Sequence, residues 1–314
     1  MDRVRTVRDV LLRPTAESEL PRLSELTEIV YGVRREPEVL RWLLFHPGPG
    51  PEVESSVAER HGRIVGHVAS LHCRYRVHGG TVTGAHRMLW MVEHGARGRA
   101  GVPLAGRTPD TDFEVVLGGT AATKAMLVMR GFREVGEALE LRLGAVAAGA
   151  AAGSAAARQS VVKLADFDPE AAGPAAPRDT LVNLAEPDRL AWLAACPEHD
   201  GLLFTLERSG EPLGPVLLYV NRANDPPTGR IVHMPWLEED ADLALLAILD
   251  RLGREGCAEA TVLATEEGLS RAAESLGGEV FYRRPLWFRN PNRAVEPARF
   301  HLTYMEGDLA YRRV

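Results

Sequence analysis

Apolar residues along the first half of the chain recur with the periods of both strands and helices. An opening strand is predicted at residues 10–14, and four later residues at three- and four-residue spacing define one helical face: Leu20, Leu23, Leu26 and Val30. Three further apolar runs have the length and composition of strands: residues 65–77, 88–92 and 113–117. We therefore predict an α/β (α+β) fold in which a mixed, mostly antiparallel sheet is flanked by helices.

The second half of the chain repeats three features of the first half in the same order. The run Glu-Arg-x-Gly, followed four residues later by another glycine, starts at Glu59 and again at Glu207. The apolar run at residues 113–117 has its counterpart at residues 260–263, and each run precedes a helix-like stretch that ends in glycine. Three matches in one order indicate a duplicated unit, and hence two tandem domains of the same fold.

Between the two halves the composition changes abruptly. Residues 145–157 are almost entirely Ala, Gly and Ser, and residues 169–177 repeat this bias with prolines added. Because glycine and proline oppose a continuous helix, we interpret the region as a connector. A short strand is expected inside it at residues 160–164, and a short helix over residues 145–151 is the competing interpretation of its start.

The length of 314 residues leaves room for two domains of about 150 residues each. We place an N-terminal domain at residues 1–144, the connector at 145–177 and a C-terminal domain at 178–314. The formal net charge of -6 gives no reason to expect a nucleic-acid partner. The first residues lack the apolar core of a secretory signal, and no apolar run is long enough to span a bilayer, so a soluble, cytoplasmic protein without a membrane partner is expected.

The sequence after the strand at residues 88–92 carries a resemblance to a known family. Beyond Glu93-His94-Gly95-Ala96 the chain continues with two basic residues, glycines and small apolar residues: Arg97-Gly98-Arg99-Ala100-Gly101-Val102. This run resembles the acyl-CoA loop of GNAT acetyltransferases, in which main-chain N–H groups at a helix N-terminus bind a pyrophosphate. The resemblance covers about residues 10–143 and, without the loop, about residues 180–288. It extends to bacterial proteins that contain two tandem GNAT-like domains.

The resemblance implies a site and a substrate. An acyl-CoA or a phosphopantetheine thioester would be the acyl donor, held by the end of the strand and the loop: Met91, Val92, Arg97, Gly98, Arg99, Ala100, Gly101 and Val102. Glu93 is placed as the general base for the attacking amine, with His94 as the alternative. His72 would border the acceptor pocket.

The sequence departs from the family pattern at several of these positions. Ala100 stands where the family usually has glycine, and Val102 stands where it usually has glycine or alanine. These departures weaken the pyrophosphate cradle. Leu127 occupies the position of the tyrosine that protonates the leaving thiolate, and Ala273 is its counterpart in the second half; neither can donate a proton. Carboxylates at residues 238–240 replace the loop in the second half and would repel a pyrophosphate, so no cofactor is expected there.

Other reactive residues have simpler interpretations. The histidines at positions 67, 72, 78 and 86 do not share one face of a strand, and no metal site is expected. The three cysteines are far apart and fit neither a disulfide framework nor a zinc site; Cys73 is expected to be a buried thiol because no base accompanies it. His233 is expected to pack at a domain edge. Asp308 and Tyr311 either reach an inter-domain cleft or belong to a sheet edge.

Two functions are compatible with these residues. The first is an N-acyltransferase that moves an acyl group from acyl-CoA or an acyl carrier protein to the amine of a small metabolite. The Ala-, Arg- and Gly-rich composition is typical of a high-GC bacterium, which would fit natural-product biosynthesis. The second is a non-catalytic or repurposed GNAT-fold protein that binds a different ligand or a partner protein.

Overall fold

The computed structural model describes residues 5–7, 9–46, 52–144, 162–171, 176–237, 239–291 and 295–306. The chain divides into two compact units. The first unit comprises Met1–Arg74, Thr83–Val135 and Trp287–Val295, and the second comprises Tyr75–Val82, Gly136–Leu286 and Glu296–Val314. The domain limits at residues 144 and 178, drawn from sequence similarity, stay predictions. The proposed helix at 145–151 and most of the connector lie outside the described residues.

The sheet of the first unit runs from β1 to β6 in chain order. Its strands are β1 (Arg5–Val7), β2 (Val10–Pro14), β3 (Val53–Arg60), β4 (Arg63–Val77), β5 (Gly80–Val92) and β6 (Phe113–Leu117), followed by the end of β14 (Glu279–Arg289). The first four strands pair antiparallel in succession, whereas β5 and β6 are parallel. A parallel pair needs a crossover connection, and the chain between β5 and β6 supplies one that is helical.

The described helices of the first unit are α1 (Leu20–Tyr31), α2 (Pro37–Phe45), α3 (Val102–Ala105) and α4 (Ala121–Met129). The predicted apolar face of α1 is confirmed, because Leu20, Leu23 and Leu26 are buried and Val30 is half-buried. This helix ends at Gly32, whose φ of 72° is a left-handed conformation that glycine adopts without strain.

The second unit contains the remaining described elements. Its strands are β7 (Arg133–Gly144, from residue 136), β8 (Val162–Asp166), β9 (Thr180–Asn183), β10 (Asp200–Arg208), β11 (Glu211–Asn221), β12 (Thr228–His233), β13 (Glu259–Ala264), most of β14, and β15 (Arg299–His301). Its helices are α5 (Pro187–Ala194), α6 (Ala241–Arg254) and α7 (Glu267–Ser275). The order of the main sheet is β14-β7-β13-β12-β11-β10-β8, with β12 and β13 parallel. The short strand expected at residues 160–164 is present as β8.

The duplicated hairpin has the same backbone in both units. His61 and Gly62 connect β3 to β4 with φ values of 51° and 75°, and Ser209 and Gly210 connect β10 to β11 with φ values of 53° and 90°. Two-residue turns with positive φ at both positions match the twist of the strands that they join. In each hairpin the register shifts shortly before the turn, next to Glu59 or Glu207. The mixed α/β fold with two related units is therefore confirmed.

Candidate active site

The parallel strands β5 and β6 pair over a short length and then separate. Among the described residues their register extends from Gly84–Phe113 to His86–Val115, while β5 continues to Val92. The close approach at the start requires glycine, because a Cβ at Gly84 would lie 2.2 Å from the Phe113 ring. Beyond His86, therefore, β5 and β6 are no longer in register among the described residues.

A buried ion cluster lies where the two strands separate. Arg87 on β5 donates from Nε to the Glu114 carboxylate on β6 at 2.8 Å, and Arg289 from the end of β14 pairs with the other oxygen of Glu114. Burial lowers the pKa of Arg87 to about 10. One carboxylate thus serves two buried guanidinium groups, and this arrangement fixes β5 to β6 at the base of the opening.

Two side chains bind main-chain carbonyls of β5 in its separated part. The ring of His67 on β4 has Nδ1 at 3.0 Å from the Leu89 carbonyl, and Tyr31 at the end of α1 donates its hydroxyl to the Trp90 carbonyl at 3.1 Å. Burial lowers the pKa of His67 to about 4, so the ring is neutral near pH 7 and Nδ1 is assigned as the donor. Leu89 has a φ of 47°, which bends β5 at this point.

The segment after β5 is helical, which corrects the expectation of an open loop. His94–Ala96 forms a 3-10 turn and Arg97–Gly101 a π-helical turn that continues into α3. The helical path arises because three residues at four-residue spacing pack into the core of the first unit: Ala96, Ala100 and Leu104. The methyl group of Ala100 therefore faces the core rather than the surface on which a ligand would lie.

The outer surface of this segment is basic and sparsely covered. Arg97, Gly98 and Arg99 are exposed, and a Cβ added at Gly95 or Gly98 would meet no atom within 4 Å. Val102 is 47% exposed and supplies an apolar side chain on this surface. The other predicted donor-binding residues, Met91, Val92, Ala100 and Gly101, are buried.

The two arginines differ in their partners. Arg99 pairs with Asp9 at 2.9 Å, and Asp9 also accepts from Arg60. The hydrogen bond from Arg60 is the largest contribution that lowers the pKa of Asp9 to about 2. Arg97 has no ion-pair partner among the described residues. It is consequently the more available cation for a phosphate group.

The candidate bases lie at the end of β5. The Glu93 amide donates to the Val65 carbonyl at 2.9 Å, and its carboxylate accepts from Arg22 and Arg63. These two ion pairs favour an anchoring role for Glu93 beside the predicted catalytic one. His94 is exposed, and His72, the predicted acceptor-side residue, is half-buried on β4.

Three residues at the site were not found from the sequence. Tyr31, Arg22 and Arg63 are far from the loop in the chain, and no motif surrounds them; only the positions of α1 and β4 beside β5 bring them there. Leu127, by contrast, is buried in an apolar cluster with Val116, Phe132 and Trp287, as its apolar side chain predicts.

The remaining predictions concern metal ligands, the second unit and the membrane. In the described part of the chain, no three His, Cys, Asp or Glu side chains converge to hold a metal ion. Of the acidic residues in the second unit, Asp240 pairs with Arg208 at 2.8 Å, and Glu238 lies outside the described residues, as do Asp308 and Tyr311. Cys73, His233 and Ala273 are buried. None of the described helices is both long and apolar enough to cross a bilayer.

Two related mixed α/β units, each with a parallel strand pair that separates, define the structural class. The sequence model of the acetyltransferase (GNAT) domain matches residues 12–102, which include β5 and the segment after it. A GCN5-related N-acetyltransferase from Anabaena variabilis superposes with a TM-score of 0.60 at 12% identity, covering 90% of this chain and 73% of that one. A GCN5-related N-acetyltransferase from Kribbella flavida superposes with a TM-score of 0.55 at 14% identity, covering 90% of this chain and 71% of that one.

A tandem GNAT protein from the clavulanic acid biosynthesis pathway superposes with a TM-score of 0.53 at 13% identity, covering 89% of this chain and 98% of that one. No curated protein sequence matches the chain. The resemblance to the GNAT superfamily, tandem members included, is confirmed: this chain has a GNAT fold.

Proposed function

We propose that the first unit is an N-acyltransferase that holds an acyl-CoA or a phosphopantetheine thioester between β5 and β6. The observation that carries this proposal is the early end of the β5–β6 register at His86, while β5 itself continues to Val92. The pantetheine arm contains two amide groups, and an extended amide chain can pair with an open strand edge as an added strand does.

The charged end of the donor would lie on the helical segment after β5. Gly95 and Gly98 leave room for a diphosphate close to the backbone, and Arg97 offers an exposed guanidinium. An acyl carrier protein as the donor also fits, because its phosphopantetheine needs no adenosine-diphosphate cradle and its acidic surface would meet Arg97 and Arg99.

The reaction would be direct transfer to the amine of a small molecule. The amine nitrogen attacks the thioester carbonyl carbon, the C–S bond breaks, and the proton of the new ammonium passes to Glu93 or His94, directly or through water. A main-chain amide near Val92 would polarise the carbonyl. Since Leu127 cannot protonate the thiolate, we assign that proton to the Tyr31 hydroxyl, which already lies at the Trp90 carbonyl of β5.

The donor site is tested by thermal unfolding with CoA, acetyl-CoA and longer acyl-CoAs. A ligand at a hundred times its dissociation constant stabilises the native state by about 2.7 kcal/mol, which raises Tm by a few degrees. Arg97→Glu should abolish the shift, whereas Arg34→Glu, a charge reversal at another exposed arginine of the first unit, should retain it. A shift that is equal in both variants would place the ligand elsewhere.

The catalytic assignment is tested by Glu93→Gln once a substrate amine is found. We expect kcat to fall by at least about tenfold, because general-base catalysis contributes about 10²–10⁴-fold. The loss should diminish as pH rises and more of the amine is free. Unchanged turnover at pH 7 would limit Glu93 to its ion pairs with Arg22 and Arg63.

The alternative is a GNAT-fold protein that binds another ligand or a partner protein without acyl transfer. It is favoured by Leu127 at the usual position of the acid and by the double ion pair of Glu93. Absence of a shift with any free CoA thioester, followed by absence of binding to an acylated carrier protein, would support it. A role in natural-product biosynthesis, as for the tandem protein of the clavulanic acid pathway, belongs to the acyltransferase proposal.

A further inference from the structure

The second unit contains a pocket that the thioester site does not use. Its volume is about 300 Å³, within the range of small-molecule sites, and every residue that lines it belongs to the second unit. The wall includes the apolar side chains of Phe167, Leu184 and Trp236, while the charged residues Arg76, Asp168 and Glu170 are exposed. Such a wall suits a ligand with an apolar or aromatic body.

Two buried polar side chains in the wall have unused hydrogen-bonding atoms. Asn183 is 6% exposed, and its Oδ1 accepts from the Ala185 amide at 2.9 Å, so the amide orientation is fixed and Nδ2 is left without a partner in the described structure. His233, at the end of β12, is 3% exposed, and its Nδ1 is likewise unpaired there. A buried donor without a partner is destabilising, and a ligand acceptor would satisfy it.

The two unpaired donors in the wall favour an acceptor group over a cation. Burial lowers the pKa of His233 to about 3, and His301 and the buried Arg189 contribute to this shift as positive charges. The imidazole is therefore neutral and can donate one N–H. At the rim, Oδ1 of Asp168 already accepts the Glu170 amide at 2.9 Å. An ammonium group, which has no acceptor, would leave Asn183 Nδ2 unpaired.

We propose that the second unit binds a small organic carboxylate in this pocket. The carboxylate accepts from Asn183 Nδ2 and His233 Nδ1, and its apolar or aromatic body packs against Phe167, Leu184 and Trp236. This site does not depend on the acyltransferase proposal, because no residue of the first unit takes part.

Calorimetric titration of the full chain tests the ligand class with benzoate, phenylacetate, indole-3-acetate and hexanoate, each against its neutral amide and its amine analogue. At least one acid should bind, its amide at least about tenfold more weakly, and its amine not at all, because only the carboxylate uses both donors fully. Lack of binding by all four acids, or preference for an amine, would overturn the proposal.

Variants locate the binding. Asn183→Asp keeps the acceptor for the Ala185 amide but replaces the Nδ2 donor by an oxygen, and should weaken the acid at least about tenfold. Ala171→Trp adds a bulky side chain at a half-buried residue of the lining and should abolish binding, whereas Ala298→Trp, at an exposed alanine outside the pocket, should not. Binding retained in both pocket variants would overturn the site. Arg97→Glu, which tests the thioester site, should leave this binding intact.

Discussion

The strands β5 and β12 each separate from a parallel neighbour, but different segments follow them. In both units the strand pairs parallel with the next strand and then leaves it, after His86 in the first and after Ile231 in the second. The first unit continues with exposed glycines and arginines on a short helical segment. The second continues with Met234, Trp236 and Leu237, all buried. The two openings therefore differ in the segment after the strand rather than in the strands themselves.

The carbonyls at these strand ends are also covered in different ways. In the first unit side chains bond them, including that of Tyr31, which is 37% exposed. In the second unit the main-chain amide of Met305 donates to the Val232 carbonyl at 3.1 Å, and His301 Nε2 lies 3.0 Å from the Met234 carbonyl. A thioester could enter the second opening only by displacing the chain, so we expect the donor in the first unit alone.

The largest change in the free energy of unfolding is expected from the ion cluster where β5 and β6 separate. Glu114→Gln removes the carboxylate shared by Arg87 and Arg289 and leaves two buried cations unpaired, which should cost about 3–5 kcal/mol. Urea unfolding measures the loss. Glu134→Gln, which breaks the exposed pair with Lys124, should change stability by no more than about 0.5 kcal/mol. Equal effects would show that the cluster does not hold β5 against β6.

At the base of the second opening, the described contacts include a cation over an aromatic ring. There Arg230 on β12 lies over the ring of Tyr304, with Cζ at 5.0 Å from the ring centroid. Such a cation–π contact stabilises a guanidinium group on the face of an aromatic ring.

A smaller change in stability, one that depends on pH, is expected from the buried histidine of each unit. The pKa of His67 falls from 6.5 to about 4 on folding, and that of His233 falls to about 3. As pH falls, both histidines are therefore protonated in the unfolded chain before they are protonated in the folded one. Each group should then reduce stability by about 1.4 kcal/mol per pH unit below pH 6.5, down to its folded pKa. His67→Gln keeps a donor for the Leu89 carbonyl and should remove about 2 kcal/mol of the loss between pH 6.5 and 5. An unchanged pH dependence in urea unfolding would contradict the buried, neutral assignment.

The sequence predicted the repeating elements because local rules determine them. The apolar face of α1 follows from helical periodicity, and the repeated Glu-Arg-x-Gly run ends each time in a glycine with positive φ, Gly62 or Gly210. The strand at residues 113–117 was predicted with its bounds, β6 (Phe113–Leu117), because a buried parallel strand is a short apolar run between turns.

The site was predicted less completely because distant residues form it. A resemblance to a loop indicated Arg97 and Gly98, but it carried no information on which side of the segment Ala100 would face. That depends on the packing of Ala96 and Leu104 against the sheet. Tyr31 and Arg22 come from a helix whose sequence shows only its apolar period, and the pocket in the second unit arises from loops that share no motif.

The smallest predicted changes, in CoA affinity and in stability, distinguish the two departures from the GNAT pattern at Val102 and Ala100. Val102 is 47% exposed on the surface proposed for the diphosphate, so Val102→Ala should improve CoA affinity about threefold, with little change in stability. Ala100 is fully buried in the core, so Ala100→Gly should cost about 1 kcal/mol of stability and leave the affinity unchanged. Calorimetric titration and urea unfolding of both variants measure these quantities. Tighter binding by Ala100→Gly would mean that residue 100 faces the ligand, and that the helical segment must turn over when the donor binds.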